Sequence, residues 1–251
     1  MKKDKYFLIV VLTLFYCIFA INGSCEEEKN TIMKISSEVV EKIELPKGYH
    51  EGIYLENDKM LVNNGEGIDT WVIDVETGKL LDKIKPIDTF SEGIFKKNNS
   101  YYITDWDSKK LYEIKIVDNK MEEIRSVSFK PERPTGLVIV GDLTYVMTWE
   151  RGMGTKYFIN IVDENFKIIE KIRINDISEP SQICWDGEHF LISSWYGRKV
   201  YLVDPKNYRT LAYFKSPAKD TTGVFFDGAF YWVTGTYSDL YKMRIEKDLN
   251  D

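Results

Sequence analysis

Five segments of this chain begin alike: Glu51-Gly52-Ile53, Glu92-Gly93-Ile94, Thr135-Gly136-Leu137, Ser181-Gln182-Ile183 and Thr222-Gly223-Val224. The landmark positions 52, 93, 136, 182 and 223 are 41, 43, 46 and 41 residues apart. A repeat of this length restricts the fold to an array in which each unit buries its apolar face against its neighbours. Each start is followed by a turn, such as Glu56-Asn57-Asp58 or Asp227-Gly228, and then by an apolar, aromatic strand. Those second strands are Met60–Val62, Tyr101–Thr104, Thr144–Thr148, His189–Ser193 and Phe230–Thr234. Third strands follow at 71–75, 111–116, 157–162, 200–203 and 240–245. More polar fourth strands lie at 79–85, 121–129, 166–174 and 209–215. No stretch after residue 30 carries a helical period. Four short strands per unit predict an all-β, five-bladed β-propeller.

Only the fifth unit lacks a fourth strand, because the chain ends too soon after position 236. Residues Glu38–Leu45 read like the other fourth strands and lie at the opposite end of the sequence. The last blade is therefore expected to be closed by the N-terminal strand, which removes two open sheet edges. An open β-sandwich is the alternative, and it explains neither the period nor the complementary ends.

The first residues follow a different logic. Lys2, Lys3 and Lys5 precede an apolar run from Tyr6 to Ile21, then Asn22-Gly23-Ser24-Cys25 and three glutamates. This is the pattern of an export signal. Residues 1–24 are expected to be a signal peptide or membrane anchor, 25–37 an acidic and polar linker, and 38–251 the propeller. Cys25 after small residues resembles a bacterial lipoprotein site, where the cysteine receives lipid; plain cleavage and a retained anchor are the other outcomes. Each places the domain outside the cytoplasm, in the cell envelope or secreted.

Charge and composition narrow the function. The chain carries 34 Lys and Arg against 40 Asp and Glu, a net charge of −6, so no nucleic-acid partner is expected. Two histidines and three cysteines leave little for a zinc site or a Ser-His-Asp arrangement. Cys184 sits on an inner strand and reads as a core thiol. No metal and no cofactor is expected.

In a propeller the first strand of each blade lines the channel, and the second returns to the same face. The residues before the landmarks form a polar ring of Glu51, Glu92, Thr135, Ser181 and Thr222. Thirteen residues past the landmarks stand Gly65, Trp106, Trp149, Trp195 and Thr236. Asp105, Arg151, Tyr196 and Arg198 flank that second ring, and His50 adjoins Glu51. The tryptophans suit an aromatic pocket wall; packing between blades is the other reading. Glu51 and Glu92, on adjacent blades, suit general acid–base work through mutual repulsion; capping of strand-start amides is the alternative. Together they offer too few oxygens for calcium.

The stretch Phe90-Ser91-Glu92-Gly93-Ile94, followed by Tyr102-Ile103-Thr104-Asp105-Trp106, resembles the Phe-Gly-Glu-Gly-Ile … Thr-Trp stretch of plant- and bacterial-type glutamine cyclotransferases. Val75-Glu76-Thr77-Gly78-Lys79 is similar to that family's inter-strand turn. The resemblance in blade phase extends over residues 38–246 and implies a five-bladed propeller. It implies a proton-shuttling role for Glu92, as N-terminal glutamine cyclises to pyroglutamate with loss of ammonia, and substrate contact for Trp106. The carboxylates of the family's Gly-Glu-Gly-Trp-Gly-Leu and Asn-Glu-Leu-Glu stretches are absent from Glu132–Leu137 and Pro180–Ile183.

Three functions are compatible with these residues. The first is a tethered propeller that binds a small molecule or peptide N-terminus on its Trp/Glu face. The second is a glutaminyl-peptide cyclotransferase, and the third a structural surface module.

Overall fold

The computed structural model describes residues 32–65 and 69–246, which form 21 strands and no helix. Signal, anchor and lipidation at residues 1–24 and Cys25 lie outside the described residues. Blade one is β3 (His50–Glu56), β4 (Lys59–Asn64), β5 (Asp69–Asp74) and β6 (Leu80–Ile84). Blade two is β7 (Ser91–Lys97), β8 (Ser100–Asp105), β9 (Lys110–Val117) and β10 (Lys120–Ser128). Blade three is β11 (Arg133–Val140), β12 (Leu143–Glu150), β13 (Lys156–Val162) and β14 (Ile168–Ile174). Blade four contains β15 (Pro180–Trp185), β16 (Phe190–Ser194), β17 (Lys199–Val203) and β18 (Thr210–Lys215). Blade five combines β19 (Thr221–Phe226), β20 (Tyr231–Gly235) and β21 (Leu240–Glu246) with the N-terminal β2 (Ser36–Ile43).

The ring is closed as the repeat count required. β2 runs antiparallel to β21, with Glu38 opposite Arg244 and Ile43 opposite Leu240. The five inner strands touch in order: β3 on β7, β7 on β11, β11 on β15, β15 on β19, and β19 back on β3. That circuit excludes the open sandwich.

The apolar core is divided among the five seams between blades. One cluster joins Ile53, Val62 and Ile73 of blade one to Trp232 and Leu240 of blade five. Others join blades one and two through Leu61 and Ile103, two and three through Leu111 and Val146, three and four through Met147 and Phe190, and four and five through Phe214 and Val233. Fourth strands face outward, which explains their polarity: β6, β10 and β14 are largely exposed.

The landmark glycines answer to crowding at the axis. A Cβ on Gly52 would lie 2.5 Å from the Glu92 carbonyl oxygen, and one on Gly136 would lie 2.4 Å from Gln182 Cα. Real side chains do not come so close to backbone, so inner strands pack at this spacing because only hydrogen projects there. Polar side chains also clasp each blade to the next. Asn63 Nδ2 donates to the Glu92 carbonyl oxygen (3.0 Å), Thr104 Oγ1 to that of Thr135, and Ser193 Oγ to that of Thr222 (3.2 Å).

The segment expected to be linker already joins the fold at its end. Met33–Lys34 (β1) lies parallel to β18 as a fifth strand of blade four, with Met33 opposite Ala212 and Lys34 opposite Tyr213. Ile35 follows, buried among Leu191, Phe214, Val224 and Met243 at the seam of blades four and five. An apolar residue within the polar segment is what draws it onto the ring.

Candidate active site

All five first strands break register at the landmark: between His50 and Ile53, Ser91 and Ile94, Pro134 and Leu137, Pro180 and Ile183, and Thr221 and Gly223. Such bulges re-aim the side chains they contain. The residue before each landmark sits in this irregularity, and all five are buried. Four of them, Glu51, Glu92, Thr135 and Ser181, line one pocket together with Trp106, Trp149 and Trp195. The pocket leaves about 90 Å³ open to the centre of a water molecule.

Glu51 and Glu92 are hydrogen-bonded to one another through their side chains. Burial raises the proton affinity of both. It is the chief reason that the Glu92 carboxyl is pushed up to about 8, with Asp105 and Asp107 adding to the rise and the Glu51 bond and Arg151 opposing it. Glu51 is held well above the ordinary carboxylate range by burial and then by the charge of Glu92. The pair therefore holds protons more tightly than ordinary carboxyls do. Thr135 Oγ1 donates to the Ser181 carbonyl oxygen (2.8 Å), so the ring of bulge residues is also tied together around the channel.

The tryptophans both pack against one another and line the pocket. Trp149 is buried and donates its indole N–H to the Pro180 carbonyl oxygen (2.6 Å). Its ring meets Trp106 edge-on at 5.6 Å and Trp195 at 6.1 Å between centroids. Trp149 thus wedges the blades, while the less buried Trp106 and Trp195 present ring surface to the pocket.

Three expected residues stand elsewhere. The buried Asp105 carboxylate organises the β8–β9 turn, accepting from the backbone N–H of Phe90 (2.9 Å), Asp107 (3.1 Å) and Ser108 (2.8 Å). Tyr196 is exposed and stacks on Trp195 at 5.0 Å, outside the lining. Arg198 borders a separate depression with Lys199 and Lys215. His50 also turns away, its ring nitrogens bonded to the carbonyl oxygens of Ser238 (2.8 Å) and Pro46 (3.0 Å). Cys184 is buried, and that burial pushes its thiol up to about 12.

Tyr49 and Phe90 also line the pocket, a role the sequence did not assign to either. Both stand three residues before a landmark, and the repeat does contain their signal. The backbone N–H thirteen residues past the landmark donates to the carbonyl oxygen at that position: Gly65 to Tyr49 (2.9 Å), Trp106 to Phe90 (3.0 Å), Trp195 to Glu179 (2.9 Å) and Thr236 to Asp220 (3.1 Å). Aligning this third ring would have revealed them. Gly65 is the ring position without a side chain, and Phe90 explains why: a Cβ there would lie 2.6 Å from Phe90 Cζ. Among the described residues no group of three or more His, Cys, Asp or Glu could hold a metal ion.

No protein-family model matches the chain, and no curated protein matches it. Solved structures do. The glutaminyl cyclase of Myxococcus xanthus superposes with a TM-score of 0.71 over 86% of this chain and 98% of that one, at 10% identity. The β-propeller domain of Myceliophteria thermophila Cps50 (Swd1) superposes with a TM-score of 0.51 over 84% and 100%, at 9% identity. At such identities the shared property is the propeller fold. The resemblance carried by residues 90–106 points to the same architecture.

Proposed function

We propose that this protein is a glutaminyl-peptide cyclotransferase. The observation that carries the reading is the hydrogen-bonded Glu51–Glu92 pair buried beneath aromatic side chains. The fold it shares with the Myxococcus enzyme supports the same reading. In the reaction the substrate's neutral α-amine attacks its own γ-carboxamide carbon. A five-membered lactam forms, and the bond to the carboxamide nitrogen breaks. The leaving nitrogen departs as ammonia only if it gains a proton, and the ring nitrogen must lose one. Glu92 supplies the first proton and recovers the second, so the step needs no outside acid or base. Glu51 holds the second carboxyl of the pair against it, and the tryptophans exclude water from the reacting amide.

The test is incubation of the domain with glutamine-started peptides, following ammonia and the matching mass loss. Tight peptide binding with no ammonia between pH 5 and 9 would overturn the enzyme reading in favour of a pure binder. The absence of two family carboxylates from Glu132–Leu137 and Pro180–Ile183 is what keeps the binder as the second reading.

The basic and apolar start of the chain, ending at Cys25, supports export and attachment to a membrane through lipid. Cys25→Ala should release the domain from the membrane fraction. Persistent association after that substitution, with residues 1–24 still present, would point instead to a retained apolar anchor.

A further inference from the structure

The proton chemistry gives no task to Arg151, the one cationic side chain among the described residues that line the pocket. Arg151 lines the pocket from an exposed loop position, its guanidinium carbon 4.7 Å from the centroid of the Trp106 ring. Arg133 lies 5.1 Å from the same ring, but its Nη1 is already engaged by the Trp106 carbonyl oxygen (3.2 Å) and the Asp107 carboxylate (3.3 Å). Arg151 makes no hydrogen bond or ion pair among the described residues; its guanidinium rests on the Trp106 indole face. A guanidinium laid on an aromatic ring keeps its edge donors available, and they match a carboxylate two at a time. In a chain of net charge −6, an unpaired cation at the mouth of a site is a selective feature.

We infer that Arg151 selects substrates by a carboxylate next to the reacting residue, so that the preferred peptides carry an acidic side chain directly after the N-terminal glutamine. This rests on the cyclotransferase reading. The small space between Glu92 and the tryptophans takes the reacting end, and the following residue then meets the pocket mouth where Arg151 stands. The charge has a second consequence. Arg151 favours the ionised form of Glu92, and a bound carboxylate would offset that influence. An acidic substrate thereby helps Glu92 to keep the proton that it must donate.

The experiment compares Gln-Glu-Ala-amide, Gln-Ala-Ala-amide and Gln-Lys-Ala-amide, measuring binding by tryptophan fluorescence alongside ammonia release. The acidic peptide should bind about fivefold to tenfold more tightly than the neutral one at low salt, the scale of one partly exposed charged pair. High salt should shrink the difference, and the alkaline limb of its pH profile should lie higher. Arg151→Gln should reduce the preference to less than about twofold, the residue of a lost pair. Equal binding of the three peptides by the parent protein would overturn the inference, as would a preference that survives Arg151→Gln and disappears in Arg133→Gln. An Arg151-dependent preference without ammonia release leaves the inference standing and removes the cyclotransferase reading. Release from all three at equal efficiency does the opposite.

Discussion

Asn63 Nδ2 donates a 3.0 Å hydrogen bond to the backbone carbonyl oxygen of Glu92, so the second strand of blade one holds the buried glutamate at the start of blade two. Thr70 Oγ1 fixes the amide by donating to Asn63 Oδ1 over 2.6 Å. Asn63 is thus a positioning residue. Asn63→Leu leaves a buried carbonyl without its donor, which costs roughly 1–3 kcal/mol. Thermal melts should show that loss, and kcat should fall more than KM rises. A variant that melts earlier with unaltered kcat would make Asn63 a purely structural clasp.

Glu92→Gln preserves shape and removes the titrating proton. Ammonia release should drop by on the order of 10²–10⁴, with peptide binding by fluorescence nearly unchanged. Trp106→Ala should do the reverse, weakening binding because an aromatic wall is lost. The parent kcat/KM should peak near pH 8. Above it Glu92, held at about 8, loses its proton; below it the substrate amine, with a pKa of roughly 7.7–8.0, becomes charged. A rate that is flat from pH 6 to 10 would contradict a shuttle by Glu92.

The same carboxyl makes stability fall as pH rises. Its proton affinity is raised in the folded state, from an ordinary 4.5 to about 8. Between those limits the unfolded chain has released the proton and the folded chain still binds it, so the pH derivative of unfolding free energy is negative. Glu92→Gln removes this burden. Its melting temperature should exceed the parent's at pH 8 and match it at pH 4. An offset that is constant across that range would show that the pair does not titrate as described.

Deleting residues 32–46 takes away β1, Ile35 and β2 together, exposing β21 along Leu240–Glu246. The truncated domain should aggregate or melt far earlier, since an open edge pairs with other chains. Ile35→Ala isolates one part of that loss, at about 2–4 kcal/mol for a large apolar side chain removed from a packed seam. Unfolding by denaturant measures it, and an unchanged midpoint would show that the seam does not need Ile35.

The architecture was legible because a propeller writes its geometry into a period. Glycine recurs at the axis where backbones touch, and polar fourth strands recur where blades face water. Glu51, Glu92 and the tryptophans followed from the same alignment, since equivalent positions share one face. Tyr49 and Phe90 required knowing which backbone groups pair across the first two strands, a matter of register inside a bulge. Asp105 and Arg198 show the opposite limit. Proximity in sequence placed them on the right face, but Asp105 turned inward to satisfy a turn and Arg198 outward to another surface. β1 was illegible because two residues, Met33 and Lys34, carry no pattern; their position follows from the fit of Ile35 into the seam.

The strand that closes the ring is made before any of the blades' inner strands, and its partner β21 is the last strand of the described fold. Glu38 and Arg244, bonded across β2 and β21, are 206 residues apart. At synthesis rates of about 5–20 residues per second, β2 waits roughly ten to forty seconds before anything can pair with it. Blades one to four can be completed from the ribosome outward, but the fifth cannot be sealed until Leu240–Glu246 has been made. A chain cut short before Leu240 keeps an unsealed blade, so the topology makes the synthesis of β21 a condition for a finished surface.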